Sequence, residues 1–170
     1  MNPILFLDID GVINPFKRLK DVPVDANLTK RLAMERNDPS IEDLNIYLAH
    51  MVQYRFDWNS IQYIEKLIHE FDAKIVISSS WRMMYEDKDF EGMFSIMNWK
   101  GAYIGKLESF KPRYTLIKDY IKENNVQAYL VLDDMDMSSY FPKQMVLTHN
   151  SLNENNYVEA RKLLKAQMGV

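Results

Sequence analysis

Cysteine is absent from the 170 residues, and histidine occurs only three times, at His50, His69 and His149. Disulfide scaffolds, thiolate zinc sites, thiol nucleophiles and iron–sulfur ligation are thereby excluded, and the scattered histidines have no ligand spacing. Glycine and proline are scarce at five and six residues, so neither a collagen-like repeat nor a flexible low-complexity linker is encoded. A basic surplus is also missing: 21 Lys and Arg face 24 Asp and Glu, giving a net charge of −3 and a pI near 5.6. Chains whose main purpose is to grip nucleic acid usually carry the opposite balance, so no stable nucleic-acid binding is expected. The apolar run Ile4 to Leu7 is too short for a membrane span, and lacks the basic start and small-residue cleavage site of a signal peptide. A soluble cytoplasmic protein is expected, with export by routes that read no N-terminal signal left open.

What is present is ordinary globular composition, 47% hydrophobic and 26% charged, enough for one domain over residues 1–170. Short apolar runs alternate with segments of helical period, the order expected of a parallel sheet wrapped by helices. Four runs read as strands: Pro3 to Leu7, Lys74 to Ile77, Tyr129 to Leu132 and Gln144 to Leu147. The first three are continuously apolar, as strands covered on both faces must be. Ile61, Ile64, Leu67, Ile68 and Phe71 share one face of a helix from about Asn59, and Pro112 suits the first position of a helix carrying Leu116, Ile117, Tyr120 and Ile121 inward. A last helix, capped by Asn153, would turn Tyr157, Val158, the Arg161 stem and Leu164 to the core.

Two insertions interrupt this rhythm, and no internal repeat is visible. Residues 15–57 hold the basic cluster Lys17, Arg18 and Lys20, then a Ser40-capped helix with Ile41, Leu44, Leu48, Met51 and Val52 inward; this is a candidate small cap. Residues 83–110 carry methionines and phenylalanines from Met83 to Met97, read as a small hydrophobic layer. The expected architecture is three-layer α/β/α, Rossmann-like, with a small helical insertion after the first strand.

In open α/β sheets ligands bind at the carboxyl ends of the strands. Here the first strand runs into Asp8-Ile9-Asp10-Gly11, the second into Ser78-Ser79-Ser80 and the third into Asp133-Asp134-Met135-Asp136. Side by side, these ends would crowd like charges that repel unless a cation compensates. All-oxygen ligands favour Mg²⁺, which usually completes its shell with water and phosphate oxygens. Gly11 permits either a sharp turn or simply a flexible loop.

These residues also resemble a known family. Leu5-Phe6-Leu7-Asp8-Ile9-Asp10-Gly11-Val12 resembles the first motif of the haloacid dehalogenase-like (HAD) superfamily. Ile75 to Ser78 looks like the second motif, Lys111-Pro112 or the nearby Arg113 like the third, and Leu132-Asp133-Asp134 like the fourth. The stretches Val76 to Arg82 and Val131 to Asp136 are similar to small HAD-like domains of RNA-repair and related bacterial proteins. The resemblance implies that Asp8 is the nucleophile, Asp10 the general acid and base, and Ser78 a phosphate ligand with Ser79 as its rival. It further implies that Lys111, or else Arg113, is the charge-balancing cation. Asp134 assisted by Asp133 would hold Mg²⁺ with Asp8 and the backbone carbonyl of Asp10, and Asp136 would act from behind them. Dehalogenases of the superfamily lack the second aspartate and its ATPases usually replace it, so Asp10 points to phosphatase or phosphomutase chemistry.

Arg82 is read as a substrate-binding residue, Lys17, Arg18 and Lys20 as a steering cluster or a solvated face, and Trp81 as core packing more than substrate stacking. The expected activity is a Mg²⁺-dependent phosphomonoesterase acting through an aspartyl-phosphate. A short insertion leaves the site open, which favours a macromolecular substrate, and the acidic charge favours a phosphoprotein, phosphotyrosine included, over a polynucleotide end. Three alternatives stay open: a nucleotide or sugar phosphate substrate if residues 15–57 close over the site, a phosphomutase, and a non-catalytic module that binds phosphorylated partners.

Overall fold

The computed structural model describes residues 2–16 and 22–170. Five strands, β1 (Ile4–Leu7), β2 (Lys74–Ile77), β3 (Tyr103–Lys106), β4 (Tyr129–Asp133) and β5 (Met145–Leu147), form one parallel sheet in the order β3-β2-β1-β4-β5. Six helices wrap it: α1 (Leu28–Arg36), α2 (Ile46–Tyr54), α3 (Trp58–Phe71), α4 (Asp87–Ile96), α5 (Arg113–Glu123) and α6 (Glu154–Met168). This is the three-layer α/β architecture expected from the alternating pattern.

Strand β1 lies at the centre with both faces covered. Leu5 and Leu7 pack into the larger core with α1, α2, α3, α4 and α6 residues, whereas Ile4 and Phe6 face the smaller one under α5. Phe6 is fully buried and meets the ring edges of Tyr120 and Tyr129 at centroid distances of 5.5 and 6.0 Å. Burying a side chain of this size contributes about 1.5–3 kcal/mol. Continuous apolarity in the sequence follows from this two-sided burial. The register then sets the chemistry, because Leu7 pairs with Ile77 on one side and Leu132 on the other. Asp8, Ser78 and Asp133 therefore sit next to one another at the carboxyl edge.

Four elements differ from the sequence expectations. Strand β3 was not anticipated, because Gly105 and the exposed Ile104 break any apolar run; it survives as an edge strand whose pairing with β2 shifts register between Ile75 and Val76. The single Ser40-capped helix is instead a 3-10 turn over Pro39–Asp43 followed by a separate helix. Asp38 caps the turn, Leu44 is extended, and Asn45 restarts the helix by accepting hydrogen bonds from the Tyr47 and Leu48 amides at 2.9 and 3.2 Å. Pro112 precedes the first turn of α5 as its cap residue instead of opening it. In α6, capped by Asn153 as expected, Ala160 and Leu164 are buried but Val158 is 58% exposed, so the helix is rotated relative to the anticipated face.

The helices between β1 and β2 are fastened to the second insertion. Leu28, Leu32, Ile41, Leu48 and Val52 belong to the same core as Phe90, Met93 and Met97. The buried Asp38 carboxylate accepts from the Ser95 hydroxyl at 2.6 Å and meets the Lys100 ammonium at 3.0 Å. The Ser40 hydroxyl first, and then Ser95 and Lys100, hold its pKa well below the usual carboxylate range. Arg36 adds a hydrogen bond from Nε to the Ile96 carbonyl at 2.8 Å. Met93 and Met97 fill this layer, whereas Met83 and Met84 are exposed. The cluster Lys17, Arg18 and Lys20 lies outside the described residues. Among the described residues no helix is long and apolar enough to cross a membrane.

Candidate active site

The β1 chain leaves the sheet in a tight loop closed by backbone hydrogen bonds from the Val12, Ile13 and Asn14 amides to the Ile9 carbonyl, and from the Gly11 amide to the Asn14 carbonyl. Gly11 adopts φ +78°, and a Cβ there would sit 2.6 Å from Asp134 Cγ and 2.8 Å from Asp134 Cβ. Of the two readings open in the sequence, the sharp turn is the one realised, and the close approach to Asp134 is a further demand on this position that neither reading included. Thr148, at the end of β5, ties the loop down by donating from Oγ1 to the Gly11 carbonyl at 2.8 Å and from its amide to the Asp133 carbonyl at 3.0 Å.

Asp8, Asp133 and Asp134 each place one carboxylate oxygen within 4.8 Å of the others. Arg113, from the first turn of α5, brings its Nη1 to 2.9 Å from Asp8 Oδ2 and also bonds Asp133 Oδ2. The pairing is buried: the side chains of Arg113, Asp8 and Asp133 are 14%, 6% and 0% exposed. One guanidinium does not neutralise three carboxylates. Burial first, and then the charge of Asp8, pushes Asp133 up to about 6 against the pull of Arg113. Burial and Asp8 likewise raise Asp134. For Arg113, burial works against the charge, but Asp133 and Asp8 outweigh it and hold the guanidinium above its ordinary value.

A family model described as the HAD domain in Swiss Army Knife RNA repair proteins matches residues 4–156. The chain belongs to this family. No curated protein and no solved structure matches it. Membership makes it a HAD-type domain, related to a superfamily of phosphoester hydrolases, and the residues expected from the HAD motifs have definite positions in the fold.

Ser78 and Ser79 are both fully buried but differ in what they touch. The Ser79 hydroxyl accepts from the Trp81 amide at 3.3 Å and caps the 3-10 turn Ser80–Met83, whereas the Ser78 hydroxyl has no partner among the described residues. Of the two candidate cations, Arg113 meets the Asp8 and Asp133 carboxylates and Lys111 does not. Lys111 is 58% exposed and pairs with Asp119 at 2.9 Å on the outer side of α5. The reason is helical phase: Pro112 ends the extended approach, so Arg113 is the residue that turns toward the sheet edge. Arg82 donates from Nη1 to the Ser78 and Ser79 carbonyls at 3.1 and 3.0 Å, and its buried Nε has no partner among the described residues. Burial, then repulsion from Arg113, lowers its pKa. Asp136 is exposed and caps a turn by accepting from the Ser138 amide at 2.9 Å, away from a supporting role behind the carboxylates.

The Asp10 side chain stands apart from the carboxylate cluster. Its two oxygens accept from Asn14 Nδ2 at 2.6 Å and from the indole Nε1 of Trp81 at 2.9 Å. Trp81 is thus both core and site, a role that sequence reasoning missed; the available signal was that a buried indole N–H needs an acceptor. Asn14, Thr148 and Lys106 were missed as well. Lys106 donates to the Arg82 and Tyr85 carbonyls at 3.0 and 2.8 Å and so pins the loop after β2.

The donor set fits a hard divalent cation. Asp8 and Asp134, with Asp133 beside them, offer only oxygen, their repulsion is incompletely relieved, and the missing Cβ of Gly11 makes room for the Asp134 carboxylate.

Proposed function

We propose that this HAD domain is a Mg²⁺-dependent phosphomonoesterase that removes terminal phosphates from polynucleotide ends through an aspartyl-phosphate on Asp8. The observation that carries the reading is the Ser78 hydroxyl, fully buried beside Asp8 at the sheet edge and without a partner among the described residues. An unsatisfied buried hydroxyl costs about 1–3 kcal/mol, and a phosphoryl oxygen bound there would supply the missing bond.

Asp8, with Oδ2 held by Arg113, attacks phosphorus as the bond from phosphorus to the departing sugar oxygen breaks. Asp10 gives its proton to that oxygen, then takes one from the water that attacks the acyl phosphate and releases inorganic phosphate and free Asp8. Arg113 and Arg82 supply fixed positive charge near the phosphoryl oxygens. Asp8, Asp134 and Asp133 would hold Mg²⁺, which when bound supplies neutralising charge for the nucleophile and the phosphate. The pair Asp8 and Asp10 favours catalysis over a binding-only module.

The family's description as a domain of RNA repair proteins supports a polynucleotide end over a phosphoprotein. So do the loops at the carboxyl edge, where Phe16, Met83, Met84, Phe110 and Met135 are 69%, 56%, 66%, 87% and 53% exposed. Exposed apolar side chains on four loops around a phosphate site suit unpaired bases, and an end-acting enzyme needs no extended basic groove. The test is phosphate release, in Mg²⁺ or EDTA, from 3′- and 5′-phosphorylated oligoribonucleotides, phosphotyrosine and phosphoserine peptides, nucleotides and sugar phosphates. Mg²⁺-dependent release favouring the oligonucleotides, abolished in Asp8→Asn, is expected. Retained turnover in that variant removes the covalent step, preference for another class removes the substrate assignment, and no release from any substrate leaves a binding module.

A further inference from the structure

The contact between Trp81 and Asp10 crosses 71 residues of sequence and joins the loop after β2 to the loop after β1. Trp81 is 5% exposed, and its ring is wedged between Phe56 and Tyr85 at centroid distances of 5.9 and 5.4 Å. Its backbone amide is fixed on the Ser79 hydroxyl, and the Tyr85 carbonyl is held by Lys106. The indole is therefore a rigid donor, anchored at both backbone and ring.

An indole N–H can only donate, so Asp10 Oδ2 meets Trp81 through an acceptor lone pair whatever the protonation of the carboxyl group. Asn14 holds the second oxygen at 2.6 Å. Two donors on separate segments fix the rotation of the carboxyl plane, and the Trp81 donor sits on a framework that packing does not let turn. We propose that Trp81 is a positioning residue for Asp10: its indole N–H sets the carboxyl plane so that a free lone pair faces the departing oxygen of the substrate. This rests on the phosphomonoesterase reading and adds to it a second requirement for the acid–base step. It also gives the Trp that follows the three serines a chemical role distinct from its bulk.

A positioning role and a packing role separate by leaving group. A nitrophenolate departs without needing a proton, whereas a sugar alkoxide must be protonated as it leaves. Trp81→Phe keeps a ring between Phe56 and Tyr85 and removes only the N–H and part of the bulk. Turnover of a phosphorylated oligoribonucleotide should fall by about 10–100-fold in kcat, the scale of a misaimed catalytic group, while its KM moves by less than about threefold. First-turnover release of nitrophenolate from p-nitrophenyl phosphate, which precedes the water step that Asp10 also serves, should stay within about threefold of the parent. Equal losses on both substrates, or no loss on either, overturn the positioning role and leave the phosphatase reading standing. A parent inactive on every substrate overturns that reading and the role with it. Should Trp81→Phe fail to fold, the indole N–H resonances of ¹⁵N-labelled parent and Asp10→Ala decide the matter: one indole signal should move upfield in the variant, and unmoved signals overturn the contact.

Discussion

Substituting Gly11 with alanine isolates the feature that lets Asp134 approach the loop after β1. A left-handed φ of +78° costs a β-carbon residue roughly 1–2 kcal/mol. The new Cβ would also meet Asp134 Cγ at 2.6 Å and Asp134 Cβ at 2.8 Å, roughly an ångström inside the 3.5–4.0 Å of comfortable carbon contact. Overpacking of that kind costs about 1–3 kcal/mol, and the stiffer unfolded chain gives back about 0.4–1 kcal/mol, so Gly11→Ala should lose about 2–4 kcal/mol. Urea denaturation at constant m-value measures it. A cycle with Asp134→Gly separates the two causes, since the φ cost remains and the overlap disappears, leaving a coupling of about 1–3 kcal/mol. The same displacement of Asp134 should abolish stabilisation by Mg²⁺, which for the parent reaches about 2.7 kcal/mol at a hundred times the dissociation constant. A loss below about 0.5 kcal/mol, or a coupling within that margin of zero, would refute the argument that the missing Cβ makes room for this carboxylate.

Arg113→Met strands Asp8 and Asp133 without their shared partner and should cost about 3–5 kcal/mol together with activity, whereas Lys111→Met should leave the urea midpoint and turnover unchanged; the reverse ranking would return the cation role to Lys111. Ser78→Ala removes an unpartnered hydroxyl and should hold or raise stability while kcat/KM falls, whereas Ser79→Ala should lose about 0.5–2 kcal/mol of cap stability. For pH, Asp133 is raised to about 6 in the folded state against about 3.9 in the unfolded chain. Folding therefore takes up a proton, and in EDTA the parent should gain stability as pH falls from about 6 toward 4, a gain missing in Asp133→Asn. Asp38 has the opposite sign, because its lowered pKa gives stability present above about 4 and lost as pH falls further. Asp38→Asn should be less stable at neutral pH and flatter on the acid side, with denaturation midpoints across pH as the check.

Legibility in the sequence tracked how local the cause was. The continuous apolar runs of β1, β2 and β4 announced two-sided burial, and the acidic and hydroxyl residues following them were legible because a parallel sheet brings such ends to one edge. Helix α3 was legible from its period to within a residue of its start. Strand β3 was not, since an edge strand with a glycine and an exposed isoleucine carries no pattern of its own. Arg113 and Lys111 were indistinguishable in sequence because their difference is one of helical phase, fixed only when Pro112 ends the preceding segment. The bond from Trp81 to Asp10 depends on two loops meeting across the sheet edge, which no local pattern encodes.

The fastening of residues 28–54 to the α4 segment through Asp38 and Arg36 bears on how turnover is paced. Where a hinged cover must swing shut for each encounter and open again for release, its motion can limit throughput and slows in viscous solvent. These helices share one hydrophobic interior with the strand that ends at Asp8, so they cannot swing without breaking it. Throughput in glycerol or sucrose should then follow the chemistry of the two displacement steps, with saturated rates insensitive to viscosity.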